Sequence, residues 1–149
     1  MDKDDTISAL NDLIETSRDG EEGFRTSAEH TRNVQLKSLF SNRAASCAHA
    51  VQELQQVVQA QGGKPTDSSS MSGALHRRWV DFKSAISGQD DVAILNEAER
   101  GEDVAVASYK KVLALDLPSE IRNLIERQYQ SVLENHNQVK LLRNQFRAQ

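Results

Sequence analysis

Two glutamates and one histidine stand where the residue pattern expects apolar side chains. Glu21 falls between Ser17 and Phe24, Glu102 between Ala98 and Ala105, and His136 between Val132 and Val139. Taking a carboxylate out of water without a partner costs several kcal/mol, so two inward acids require cations, shared protons, water or a metal. Carboxylates from two helices with an imidazole from a third are the donor types of the metal centres that helix bundles support. Glu21, Glu102 and His136 are therefore the expected metal ligands, with Cys47 as a neighbour and iron, manganese or zinc as the candidate ion. The same residues also fit a structural layer that fixes helix register. In that reading the two acids bond to the hydroxyls of Ser17, Ser27 or Tyr109, to Gln128, or pair with Arg25, Arg43 or His136.

A complete di-metal centre takes a Glu from each of two helices and a Glu-x-x-His from each of the other two. Here the residue three before His136 is Leu133 and that before His49 is Ser46, and His49 falls on a polar face with Asn42, Ser46, Glu53 and Gln56. Two fully ligated irons are not expected. Cys47 lies on an apolar stripe with no base evident beside it and reads as a small hydrophobe. Gly20 and Gly101 adjoin the two acids. A glycine inside a helix costs ~1 kcal/mol relative to alanine, which points to close helix approach or access for a ligand. Gly-rich phosphate loops, nucleophile elbows and His-Glu-x-x-His pairs are absent from the sequence, and hydrolase and nucleotide chemistry drop away with them.

Helices must position these groups. Ile7, Leu10, Ile14, Ser17, Glu21, Phe24 and Ala28 recur at three-then-four spacing and predict a helix over about 4–30, capped by Thr6 or Asp5. Leu36, Phe40, Ala44, Cys47, Val51, Leu54 and Val58 predict a second over about 34–61, stopped by Gly62-Gly63 and Pro65. The short join makes the two an antiparallel hairpin. Residues 62–72 read as a surface linker, and Leu75, Trp79, Phe82 and Ile86 as the apolar edge of a short crossover helix over about 73–87. A third long helix is predicted over about 91–116, capped by Asp90 or Asp91. The fourth, over about 118–147, starts at Pro118 and has its stripe through Ile121, Ile125, Gln128, Val132, His136, Val139, Arg143 and Phe146. Two hairpins joined by a crossover are the connectivity of an all-α, ferritin-like four-helix bundle forming a single domain over 1–149.

Composition agrees with that class. The chain has 149 residues, two Pro, seven Gly and 38% hydrophobic residues, enough for one helical core with few forced breaks. A net charge of -4 gives no electrostatic reason to bind nucleic acid or an anionic membrane. The single Cys47 rules out an internal disulfide framework and suits a reducing compartment. With no apolar run near the ~18 residues of a membrane span and no signal-peptide character, a cytoplasmic location is expected. His76-Arg77-Arg78-Trp79 could dock an anion or a partner, although Trp79 fits the role of anchor for the crossover helix.

Several strings resemble a ferritin-like four-helix-bundle family, widespread in bacteria and filed as a domain of unknown function. They are Leu10-Asn11-Asp12-Leu13-Ile14-Glu15, Asp19-Gly20-Glu21-Glu22-Gly23-Phe24, Gly73-Ala74-Leu75-His76-Arg77-Arg78-Trp79-Val80-Asp81, Glu99-Arg100-Gly101-Glu102-Asp103, and Glu126-Arg127-Gln128 with His136. The resemblance implies the fold and leaves the activity open, because a fold does not fix a function. The expectation is a cytoplasmic bundle, non-catalytic or weakly metal-binding, stress-associated and self-associating. The alternatives are a degenerate metal site with oxidase- or peroxidase-like activity, and an interaction module docking a protein partner through the crossover helix.

Overall fold

The computed structural model describes residues 1–66 and 90–148, and these form four long helices with no strand among them. Helix α1 spans Lys3–His30, α2 Val34–Ala60, α3 Asp91–Leu113 and α4 Ser119–Arg147. The start of α1 is capped by Asp2 rather than Thr6 or Asp5. The Asp2 carboxylate accepts from the Asp5 amide at 2.8 Å, and the Thr6 hydroxyl instead donates to the Asp2 carbonyl at 3.0 Å. Asn33 caps α2 through the Leu36 amide, and Asp90 caps α3 through the Ala93 amide, each satisfying a donor that has no partner inside its helix. At the end of α2, Gly62 takes φ +83°, a left-handed conformation that costs a residue with a side chain, and the Gly63 amide closes back on the Val58 carbonyl.

The third helix ends at Leu113, three residues before the expected limit. Arg122 reaches across the turn and donates to the carbonyls of Leu113 and Leu115, satisfying acceptors that the helix would otherwise use. Pro118 sits just outside α4 in an extended conformation, with its carbonyl accepting from the Arg122 amide. The crossover helix expected over about 73–87, with Trp79 and the Arg77-Arg78 pair, lies outside the described residues.

The direction of each helix follows from its end contacts. The short join makes α1 and α2 antiparallel, and Thr31 at the end of α1 donates to Asp91 at the start of α3 at 2.6 Å. The amino group of Met1 lies 3.8 Å from Asp116, just past the end of α3. Thus α3 runs opposite to α1 and in the same sense as α2, and α4 returns beside α3. After α2 the chain climbs along α1. Lys64 accepts from Asn11, and the Thr66 backbone binds Asn11 through its amide and Arg18 through its carbonyl. Gly63 permits the start of this climb, since a Cβ there would stand 2.7 Å from the Ile7 side chain. No helix among the described residues is long and apolar enough to cross a membrane.

The apolar interior divides in two. One cluster gathers Phe24, Leu36, Phe40, Ile94, Leu95 and Val139, and the other Leu10, Leu13, Ile14, Leu54, Val112 and Ile125. Between them every helix contributes polar or small residues: Ser17 and Gly20 on α1, Arg43 near Cys47 on α2, Gly101 and Glu102 on α3, Gln128 and Asn135 on α4. Helix α1 packs closely on α2 and on α3, and α3 closely on α4, while α2 barely approaches α4. The bundle is thus tight on three sides and loose along one seam, midway along its length.

Candidate functional site

Glu102 is the centre of the polar waist. It is 1% exposed, and its Oε1 accepts from Arg43 Nε at 3.0 Å and from Asn135 Nδ2 at 2.6 Å. Its other oxygen, Oε2, is shielded from solvent and has no hydrogen-bond partner. Burial pushes the Glu102 carboxyl above the usual carboxylate range, while Arg43, Asn135 and the charge of His136 pull it back. Arg43 is itself buried and lies over the Phe24 ring at 6.0 Å, so its charge is held between a carboxylate and an aromatic face.

A cavity of about 390 Å³ occupies the waist. Its deep wall is made by buried residues of α1 and α3, including Ser17, Gly20, Glu102 and Tyr109, and its exposed lining comes from His49 on α2 and Arg127 and Ser131 on α4. It therefore opens through the loose α2–α4 seam. A hydrogen-bonded chain crosses its floor and mouth: the Tyr109 hydroxyl donates to Gln128 Oε1 at 2.8 Å, and Gln128 Nε2 donates to Glu53 Oε1 at 3.1 Å. Arg127 closes on Glu53 Oε2 at 2.6 Å, with His49 at 3.9 Å from the same oxygen. Partial burial opposes ionisation of Glu53, but the hydrogen bonds from Arg127 and Gln128 outweigh it and hold the carboxyl below its ordinary range. Burial pushes the Tyr109 hydroxyl and the Cys47 thiol each up to about 12, so Cys47 is a neutral, unreactive wall residue.

The three residues expected to share a metal differ in burial and in hydrogen-bond partners. Glu21 lies at the edge of α1 with its side chain 23% exposed and bound to Arg25 at 2.6 Å. Gly20 has the inward position instead, close enough that an added Cβ would meet Cys47 Sγ at 3.1 Å. His136 is turned to the outer side of the α3–α4 pair, where its Nε2 bonds Asp103 at 2.6 Å. The inward stripe of α4 runs through Gln128, Val132, Asn135, Val139 and Leu142. His136 is one residue, about 100°, off that stripe. Glu102 alone of the three is in the interior, and the Arg43 partner is one that the structural reading of the sequence had named. Asn135 was missed. Its signal was Leu142, which sits seven residues on, two helical turns along the same face.

Among the described residues, Glu99, Asp103 and His136 bring ligand-type atoms within 4.8 Å of one another on the outer face. Arg143 already forms an ion pair with Glu99 there.

With this geometry in hand, comparison with known proteins gives one family. The sequence pattern described as "Domain of unknown function (DUF2383)" matches residues 5–115, and the chain belongs to that family. No curated protein matches the chain.

Proposed function

We propose that this protein is a non-catalytic, ferritin-like bundle of the cytoplasm, in which the midpoint that di-metal bundles use for ligands holds an ion pair that sets helix register. The observation that carries the reading is the double occupation of Glu102 Oε1 by Arg43 and Asn135. A carboxylate gripped by a guanidinium is charge-balanced without a metal, and a cation placed beside it would meet the positive charge of Arg43. The shared direction of α2 and α3 supports the ferritin-like connectivity. Metal analysis of protein purified without chelator, followed by iron and manganese titration of wild type and Glu102→Ala, tests the proposal. The expected result is no stoichiometric metal lost on substitution; a tightly held ion that disappears in Glu102→Ala overturns it.

A second reading has one observation in its favour. Weak zinc binding on the outer face would use His136 and Asp103, with Glu99 released from Arg143. In that case zinc uptake falls in His136→Ala and rises in Arg143→Ala, while Glu102→Ala leaves it unchanged.

A further inference from the structure

We infer that the waist cavity is a binding site for a small, uncharged, mainly apolar organic molecule carrying one N–H or O–H donor, with Glu102 as the acceptor. Four observations lead there. The volume of about 390 Å³ lies within the range of small-molecule sites, at its lower end. Phe24, Cys47, Ala50, Ala105 and Val132 give the walls an apolar character that suits hydrocarbon better than bulk water. Four of the other polar lining residues are already engaged, since Tyr109 donates to Gln128, and Gln128 and Arg127 both donate to Glu53. Glu102 lines the cavity, is itself 1% exposed, and keeps one oxygen, Oε2, with nothing donating to it. A buried acceptor without a donor is costly, so a ligand that supplies the missing hydrogen gains more than its contact area alone would give.

Charge selects further. Glu102 and Arg43 already neutralise each other, as do Glu53 and Arg127 at the mouth. An ammonium ligand would leave an uncompensated positive charge in a dry space, and a carboxylate ligand would confront Glu102 directly. A neutral donor such as an indole or amide N–H, or a phenol O–H, avoids both penalties. Entry is through the α2–α4 seam, past His49 and Arg127.

The inference needs the Glu102–Arg43 pair but not the absence of a metal, and calorimetric titration of the full chain with indole, 1-methylindole and benzylamine separates the two. Wild type is expected to bind indole saturably and 1-methylindole about tenfold more weakly, the loss of one hydrogen bond to a charged acceptor. Benzylamine, similar in bulk but cationic, binds more weakly than indole. Glu102→Gln, which turns an amide donor into the site, abolishes the preference for indole over its methylated form. Ala105→Leu fills the space and removes binding while the circular-dichroism spectrum and melting temperature are retained. Chelator leaves all of this unchanged. Equal affinity of wild type for the two indoles, indole binding that survives Ala105→Leu, or no saturable binding by the folded wild type each overturns the inference.

Discussion

Arg43 and Glu102 are unequal partners when one is removed. Replacing Arg43 by methionine keeps bulk over Phe24 but strands a buried carboxylate with Asn135 as its remaining donor, so a loss of about 3–5 kcal/mol is expected in urea unfolding. Glu102→Gln keeps an acceptor for both donors and should cost less, about 1–3 kcal/mol. Their pH responses also differ. Because the folded protein holds the Glu102 proton more tightly than the unfolded chain, this group's contribution is greatest below about 4.5 and falls as the pH rises through its elevated folded value. Stability measured from pH 4 upward should therefore decline less steeply in Glu102→Gln than in wild type. An identical slope in the two proteins would show that burial does not perturb this carboxyl.

At the scale of the helices, termini set length more firmly than stripes do. Gly62→Ala forces a side chain into the left-handed region and should cost about 1 kcal/mol, whereas Asn33→Ala should cost a similar amount by removing the donor–acceptor cap of α2. Thermal melts of the two variants check this, and a rise in melting temperature for Gly62→Ala would contradict the cap geometry. The four long helices were legible in the sequence because apolar spacing, capping residues and the Gly62-Gly63 stop all agreed. The rotation of α4 was not. Asn135 and His136 are both polar neighbours, and only the distant choice between Leu142 and Arg143 reveals which of them faces in. Glu21 misled for a related reason: glycine carries no hydropathic signal, so the inward claim of Gly20 was invisible until its approach to Cys47 fixed it. Glu102 was legible because Ala98 and Ala105 frame it on an otherwise apolar face.

Across the whole molecule, the two apolar clusters anchor the ends while the middle depends on polar contacts. Amides over residues 45–53, along the open seam, should exchange with solvent about tenfold or more faster than those over residues 10–14, which are buried among three helices. Mass-spectrometric exchange at neutral pH reads this directly, and uniform protection along α2 would mean that the seam is as firmly shut as the other three sides. The second helix is gripped firmly along one flank and fastened on the other by Glu53, which holds Arg127 and Gln128 near the surface. Such a fastening is a clasp of exposed charge, which dissolved ions weaken while leaving the oily ends untouched. Added electrolyte should therefore slacken this flank of the second helix before it disturbs either end of the molecule.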